Sequence, residues 1–285
     1  MYKQYLGRLT LPNETIEYEF LKNLRQSYYD GVYPFKLFPG KGLDELVLSP
    51  LTIFYGGNGS GKSTLLNIIA EIAGVQRHAP FNGSPFFSSY VEECQLEGFA
   101  PRQSQILTSD DVFDYLLNLR CLNEGISSRR AALFEEYTQR RNAPCQLRSM
   151  DDYDDFKESL DAKRQSLNGF VRQRLRKSVK LQSNGESALD YFVNHITEDA
   201  VYLLDEPENS MSIALQEELS QFLSESARHF GCQLIIATHS PILLAMEDAV
   251  IYDLDEYPVR QKAWTELENV RKYFDFFMQH KQEFA

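Results

Sequence analysis

Long apolar runs are missing from this sequence of 285 residues. A membrane-spanning helix needs ~18 consecutive apolar residues, whereas the richest apolar run, residues 234–246, is interrupted by His239 and Pro241. The N-terminus also lacks the apolar segment and the small-residue cleavage site of a signal peptide. We therefore expect a cytoplasmic protein without a membrane partner.

Cysteine and positive charge are scarce as well. The four cysteines include no Cys-x-x-Cys pair, which argues against a disulfide framework and a zinc knuckle and favours reduced thiols. Lys and Arg total 29 against 41 Asp and Glu, so the formal net charge is −12. A protein that coats nucleic acid is usually basic, so this balance argues against that class without excluding a local basic patch.

Apolar runs typical of buried strands alternate with helical segments over most of the chain. This alternation predicts an α/β fold with a mostly parallel sheet flanked by helices. From about residue 125 to residue 180 the sequence is instead polar, charged and helix-favouring, which predicts a helical insertion subdomain. The predicted segments are an N-terminal core lobe (1–110), a helical insertion lobe (111–180) and the C-terminal part of the core (181–285).

A glycine-rich loop lies between a predicted strand and a predicted helix. It fits G-x-x-x-x-G-K-[ST], the Walker A pattern, whose backbone N–H groups turn inward around the phosphates of a nucleotide. Lys62 can reach the β and γ oxygens of ATP, and the Ser63 hydroxyl can bind Mg²⁺. A glycine-rich turn with a chance Lys-Ser pair is the alternative. The predicted loop comprises Gly56, Gly57, Asn58, Gly59, Ser60, Gly61, Lys62, Ser63 and Thr64.

Two adjacent carboxylates and a histidine follow later apolar strands. Asp205 and Glu206 end one strand, where successive side chains point in different directions. Asp205 can therefore hold Mg²⁺ while Glu206 orients and polarises the attacking water as the base. His239 ends another strand, at the edge where ligands of α/β proteins collect, and can orient the γ-phosphate. A solvated acidic turn and a structural histidine are the alternatives.

These elements together resemble the ABC-type P-loop ATPases. The D-E-P-E-N-S-M-S run at residues 205–212 and the P-L-T-I-F-Y-G-G-N-G run at 50–59 are similar to the SMC/RecF/OLD-like branch rather than to transporter subunits. That family places an L-S-G-G-Q-like signature shortly before the Asp-Glu pair. The matching segment here is L-Q-S-N-G-E-S at 181–187, which departs from the pattern with Gln, Asn and Glu.

The resemblance implies how two copies of the chain share a site. Ser183 and Gly185 of the signature would donate to a γ-phosphate bound on a second protomer. This arrangement implies an ATP-dependent, head-to-tail homodimer that holds two ATP molecules between its protomers.

The resemblance also implies a glutamine that contacts the metal downstream of the Walker lysine. Gln105, beside the apolar pair Ile106-Leu107, is our candidate for this catalytic and metal-binding position, and Gln103 and Ser109 are the alternatives. An aromatic side chain upstream of the glycine-rich loop would stack on adenine. The candidates are Tyr33, Phe35 and Phe38, with core packing as the alternative for at least two of them.

A run of basic residues lies within the predicted insertion lobe. The structural interpretation is a solvated helix face, and the functional interpretation is a contact with the phosphate backbone of DNA or RNA. In SMC-like relatives this insertion grows into a coiled coil, but no sustained heptad pattern is present here, so a compact lobe is predicted. The basic residues are Arg172, Arg174, Arg176, Lys177 and Lys180.

The function that the resemblance implies is Mg²⁺-dependent hydrolysis of ATP by a nucleotide-driven dimer. Such a dimer would serve a soluble DNA-maintenance or defence-type system, with a separate effector protein as a further partner. Two alternatives remain, namely the nucleotide-binding subunit of a membrane ABC transporter and an ATP-gated switch with little turnover.

Overall fold

The computed structural model describes residues 2–23, 31–81, 83–142 and 183–284. The basic run of Arg172, Arg174, Arg176, Lys177 and Lys180 lies outside these ranges. The chain divides into two compact units, one formed by residues 1–113 and 183–285 and the other by residues 114–182. The three-segment division expected from the sequence stays a prediction.

The larger unit is built on a twisted central sheet. Among the described residues this sheet has six strands in the order β5-β6-β7-β3-β8-β9. Neighbouring strands are parallel, except that β9 is antiparallel to β8. The predicted α/β fold with a mostly parallel sheet is therefore confirmed. The strands are β3 (Leu51–Tyr55), β5 (Gln105–Thr108), β6 (Val201–Asp205), β7 (Gln233–Ala237), β8 (Val250–Asp253) and β9 (Arg260–Lys262).

The central strands are buried on both faces. All five residues of β3 and of β7 are buried, which explains why they read as continuous apolar runs rather than as alternating ones. The α-helices in the described part of the chain are α1 (Glu14–Asn23), α2 (Lys62–Ala73), α3 (Phe87–Glu92), α4 (Ser109–Asn142), α5 (Asn184–His195), α6 (Ile213–His229), α7 (Pro241–Leu244) and α8 (Glu268–Gln279), of which α4 continues from the larger unit into the second one.

Helix α2 is the central helix of the hydrophobic core. Its residues Leu65, Leu66, Ile68 and Ile69 are fully buried, at 0% exposure. The helix begins directly after the glycine-rich loop, and Gly74 ends it in the left-handed conformation, with a φ of 62°. Burial of this apolar face fixes the start of α2, and therefore the loop, against the sheet.

A second, antiparallel sheet in the described part of the chain has three strands in the order β2-β1-β4. Its strands are β1 (Leu6–Thr10), β2 (Glu45–Val47) and β4 (Gln95–Gly98). The fully buried Gln233 of β7 ties β1 to the central sheet, since its Oε1 accepts from the backbone N–H groups of Tyr5 and Leu6, both at 2.8 Å. Its amide group donates to the carbonyls of Leu6 and Ser49, at 2.8 and 3.1 Å.

None of the helices in the described part of the chain is both long enough and apolar enough to cross a bilayer.

Candidate functional site

The glycine-rich loop connects β3 to α2, in the strand–loop–helix context that its motif requires. Two positions in the loop require glycine for steric reasons. Gly61 has a φ of +103°, and a Cβ there would lie 3.0 Å from the ring of Phe38. A Cβ on Gly56 would lie 2.6 Å from Oγ of Ser60. A side chain at either position would therefore distort the loop.

Lys62 is buried at the first turn of α2. Its Nζ donates to the carbonyl oxygens of Gly56 at 2.7 Å and Gly57 at 3.0 Å. These bonds keep the ammonium group within the loop. A phosphate group is a stronger acceptor than either carbonyl, so the same ammonium can transfer its hydrogen bonds to a nucleotide.

Ser63 and Asp205 meet across two neighbouring elements, the start of α2 and the end of β6. The Ser63 hydroxyl donates to Oδ1 of Asp205 at 3.0 Å. Burial raises the pKa of Asp205 from its usual value of 3.8 to about 6, against the opposing effect of the Ser63 hydrogen bond. A positive charge beside this carboxyl group would favour its ionised form.

The pair fits a magnesium ion by its donor chemistry. Mg²⁺ prefers oxygen ligands and is commonly held by one or two protein oxygens together with substrate phosphates. No cluster of three or more His, Cys, Asp or Glu side chains with the arrangement of a metal site occurs among the described residues. Ser63 and Asp205 therefore suit a metal that shares its ligands with a nucleotide.

Glu206 and His239 lie beside each other at the ends of β6 and β7. Nδ1 of His239 is 3.8 Å from Oε1 of Glu206, and Nδ2 of Asn209 donates to Oε2 of Glu206 at 3.2 Å. Glu206 has a φ of +49°, a conformation that costs a non-glycine residue roughly 1–3 kcal/mol. Its backbone N–H donates to the Ala237 carbonyl at 2.9 Å, which helps to hold this conformation.

The carboxyl ends of three adjacent strands thus bring together most of the predicted site. Strand β3 leads into the glycine-rich loop, β6 ends in the acidic pair and β7 precedes the histidine. Ligands of open α/β sheets bind at this edge. The residues brought there are Lys62, Ser63, Asp205, Glu206 and His239.

Ser183 and Gly185 lie elsewhere, at the start of α5. Ser183 is the N-cap of α5, where its Oγ accepts from the Glu186 N–H at 3.2 Å and Oε2 of Glu186 accepts from the Ser183 N–H at 2.8 Å. Glu186, one departure from the family signature, therefore completes a capping box. A Cβ on Gly185 would lie 2.7 Å from Cδ1 of Leu215, so this glycine permits close packing against α6.

Gln105, predicted to be catalytic and to bind the metal, lies away from the acidic pair, and its role stays a prediction. Gln105 begins β5 opposite Tyr202, whereas Thr108 lies opposite Asp205. Three residues of strand place Gln105 about 10 Å from the carboxyl edge of the sheet. Gln103, an alternative, is also at the distant end, where its amide group donates to the Asp199 carbonyl at 2.7 Å.

Ser109, the other alternative, lines a cavity of about 230 Å³ beside the acidic pair. Ser63, Arg77, Asp110 and Asp205 line the same cavity. Arg77 and Asp110 were not predicted at the site, because neither belongs to one of the sequence motifs that indicate it. Burial lowers the pKa of Arg77, whose guanidinium group donates to Oδ1 of Asn67 at 2.5 Å.

The three aromatic candidates for adenine stacking separate into two groups. Phe35 and Phe38 are core residues, at 4% and 0% exposure. Tyr33 is 39% exposed, and its hydroxyl group forms a hydrogen bond with Oγ1 of Thr64 at 2.8 Å. Tyr33 is therefore the one of the three candidates that lies at the surface of the site.

Several known proteins are similar to this chain. A family model described as "AAA domain, putative AbiEii toxin, Type IV TA system" matches residues 178–245, which contain the signature segment, the acidic pair and the histidine. The chain is similar to the lipoprotein-releasing system ATP-binding protein LolD of Bacteroides fragilis, with 24% identity over 230 residues, 75% of this chain and 90% of the relative.

Two further similarities involve a second transport protein and a solved structure. The nickel import ATP-binding protein LarO of Lactiplantibacillus plantarum is 25% identical over 224 residues, covering 72% of this chain and 84% of the relative. An Smc head domain from Pyrococcus furiosus, solved with the C-terminal domain of ScpA, aligns with a TM-score of 0.44 and 14% identity over 95% of this chain and 99% of that one.

Proposed function

Because the chain is an ABC-type P-loop ATPase, we propose that it works as an Mg²⁺-dependent, nucleotide-driven dimer outside membrane transport. The observation that carries the proposal is the meeting of Lys62, Ser63, Asp205, Glu206 and His239 at the carboxyl ends of β3, β6 and β7. This edge supplies the glycine-rich loop, which we call the phosphate loop from here on. It also supplies two hard oxygen ligands and a carboxylate beside an imidazole, and together these are the groups that phosphoryl transfer to water needs.

The reaction is in-line attack of water on the γ-phosphate of ATP. Glu206 orients the water and accepts its proton, and His239 orients the γ-phosphate. Lys62 leaves its two carbonyl partners and stabilises the negative charge that develops on the phosphate oxygens. Ser63 and Asp205 would hold Mg²⁺, which when bound neutralises charge on the same oxygens.

A single substitution tests the role of Glu206. Glu206→Gln should leave ATP binding intact and slow steady-state hydrolysis by at least ~10²-fold, because the amide cannot accept the proton. Glu218→Gln on the exposed side of α6 is the matched control and should keep normal turnover. Normal turnover of Glu206→Gln would remove Glu206 from the role of base.

The separation of the signature from the phosphate loop within one chain supports a site that is shared between two copies. None of the hydrogen bonds within the described residues joins Ser183 or Gly185 to residues 56–63. In a head-to-tail dimer the start of α5 would instead approach the γ-phosphate on the other protomer, where a helix N-terminus favours an anion.

Mixing two inactive variants tests the shared site. Lys62→Ala and Ser183→Arg chains place both lesions in one composite site of the mixed dimer and leave the second composite site intact. The mixture should therefore regain activity that neither variant has alone. Mixtures that never exceed the single variants would contradict the shared site.

The process outside transport is supported by the long insertion between β5 and α5 and by the D-E-P-E-N form of the acidic segment. The matched family model, whose description names a toxin, supports a defence-type role with a separate effector protein. Arg172, Arg174, Arg176, Lys177 and Lys180 are the residues proposed to contact DNA or RNA.

The second candidate function is that of an ATP-binding subunit of a membrane transporter. The similarity to LolD and LarO favours it. Steady-state ATP hydrolysis with and without DNA distinguishes the two functions. Stimulation by DNA that is lost when three of the five basic residues are neutralised would support the first, and turnover indifferent to DNA would contradict a DNA-stimulated ATPase.

A further inference from the structure

Glu208, the second glutamate of the D-E-P-E-N segment, is buried between two loops of the site. Only 7% of the residue is exposed. Its Oε1 accepts three hydrogen bonds, from Oγ1 of Thr238 at 2.5 Å and from the backbone N–H groups of His239 at 3.1 Å and Ser240 at 3.2 Å. All three donors belong to residues 238–240, which we call the switch loop.

One carboxylate oxygen therefore holds the whole switch loop. Hydrogen bonds to an ionised acceptor are stronger than those between neutral groups. The loop has a second connection, because the Ser240 hydroxyl donates to Oε1 of Gln216 at 2.7 Å and Nε2 of Gln216 donates to the Met211 carbonyl at 3.1 Å. Both connections join the switch loop to the segment directly after β6, which also carries Glu206. This segment therefore positions the imidazole of His239.

The second oxygen of Glu208 indicates that packing alone does not explain this residue. Oε2 is buried and has no hydrogen-bond partner within the described residues. Burying a polar atom without a partner is unfavourable. A side chain that served only to fill space would be better apolar, so the three bonds at Oε1 are the feature that requires an acceptor oxygen here.

We propose that Glu208 is a positioning residue for ATP hydrolysis, which holds the switch loop so that His239 stays beside Glu206. The proposal rests on the proposed function, in which those two side chains act at the γ-phosphate. It adds a residue that touches neither ATP nor metal but sets the geometry of one that does. Nδ1 of His239 and Oε1 of Glu206 are 3.8 Å apart, so a small movement of the loop changes this contact.

The segment that follows β6 also contacts α5, the helix that begins within the signature. A Cβ on Gly185 would lie 3.0 Å from the carbonyl oxygen of Ser210. A shift of α5 would therefore displace residues 208–211. Through the hydrogen bonds of Glu208 and Gln216 it would also displace the switch loop. In the proposed dimer this gives a physical route from the signature to the histidine of the same chain.

The test compares Glu208→Ala with Glu208→Gln. The alanine variant removes the acceptor, so we expect kcat to fall at least ~10-fold and amide hydrogen exchange of residues 238–240 to accelerate by a similar factor. The dissociation constant for ATP should change less than about threefold, because the phosphate loop is untouched. Glu218→Ala, on the exposed side of α6, is the matched control and should change none of these quantities.

The glutamine variant keeps an oxygen for the three donors but buries an NH₂ group in place of Oε2. We expect kcat and loop protection within about threefold of the unchanged protein, together with a lower midpoint of thermal unfolding. A residue that only stabilised the fold would give the opposite pattern, with kcat following the unfolding midpoint. If Glu208→Ala does not fold, Thr238→Val, which removes one donor, should show the same losses of kcat and protection at smaller size.

Hydrogen exchange keeps this inference separable from the proposed function. Unchanged exchange of the switch loop in Glu208→Ala, or accelerated exchange with unchanged kcat, would overturn the positioning role. Normal turnover of Glu206→Gln and of His239→Ala would instead overturn the proposed roles of those two side chains. Accelerated exchange would in that case still establish that Glu208 holds the loop, but the role in hydrolysis would be rejected.

Discussion

The backbone N–H of Gly57 donates to Oδ2 of Asp255 at 2.7 Å. Asp255 lies in the turn after β8, and β8 is parallel to β3, with Asp253 opposite Tyr55. A carboxylate from a distant part of the sequence is thereby placed against the first half of the phosphate loop. We infer that it fixes the loop before a nucleotide binds, at the expense of a negative charge near the phosphates.

Substitutions of Asp255 separate these two effects. Asp255→Ala removes the acceptor and should weaken ATP binding by roughly 3- to 10-fold, the value of one hydrogen bond. Asp255→Asn keeps an acceptor oxygen and removes the charge, so it should bind ATP at least as tightly as the unchanged protein. Titration with a fluorescent ATP analogue measures both. Unchanged affinity in the alanine variant would contradict a role for this bond.

The raised pKa of Asp205 predicts a pH dependence of stability. In the unfolded chain this carboxyl group ionises near pH 3.8, and in the folded chain at about 6. Its ionisation therefore disfavours the folded state progressively as the pH rises from about 4 to about 6, by at most about 3 kcal/mol in the absence of metal and nucleotide. Asp205→Asn should be more stable than the unchanged protein at pH 7, and the difference should disappear near pH 4.

Thermal unfolding in the presence of a chelator measures this difference. Asp275→Asn on the exposed surface of α8 is the matched control, which should show no such dependence.

The affinity for Mg²⁺ with ATP should follow the opposite trend, weakening as the pH falls through about 6, because a proton competes with the metal for the same carboxylate. A pH-independent affinity between pH 5 and pH 7 would refute that competition.

Gln233 should be important for stability. Replacing it by Leu leaves the backbone N–H groups of Tyr5 and Leu6 without their acceptor, whereas the Leu6 and Ser49 carbonyls keep donors in Gln4 and Thr52. Each buried group without a partner costs about 1–3 kcal/mol, so we expect a loss of at least ~2 kcal/mol in urea unfolding. Gln221→Leu on the exposed side of α6 is the control. Equal midpoints for the two variants would show that the connection between the sheets is dispensable.

The part of the site that the sequence predicts is the part encoded locally. The phosphate loop and the Asp205-Glu206 pair each follow a buried apolar run, and such runs predict strands of a parallel sheet. Carboxyl ends of parallel strands share one edge, so their meeting with His239 follows from the pattern alone. ATP hydrolysis, the activity that these residues indicate, is therefore predictable from the sequence.

The remaining part depends on where strands end and how they are ordered. The apolar pair Ile106-Leu107 makes the adjoining Gln105 the predicted candidate, but β5 runs from Gln105 to Thr108, so the residues at the carboxyl edge are Thr108 and Ser109. Asp255 could not be found because sequence does not reveal that β8 neighbours β3. The small β2-β1-β4 sheet has strands of three to five residues, too short for a clear alternation.

Gly185 should be intolerant of a side chain because α5 packs closely against α6. A Cβ at this position would lie 2.7 Å from Cδ1 of Leu215 and 3.0 Å from the Ser210 carbonyl oxygen. Gly185→Ala should therefore lower the free energy of unfolding by roughly 1–3 kcal/mol, even though alanine is the better helix former. Leu215→Ala in the same chain removes one of the two contacts and should recover part of the loss, whereas Gly40→Ala, with open space around it, should be neutral. Urea unfolding of the four proteins decides this, and a Gly185→Ala chain as stable as the unchanged protein would mean that α5 can move away from α6 without loss.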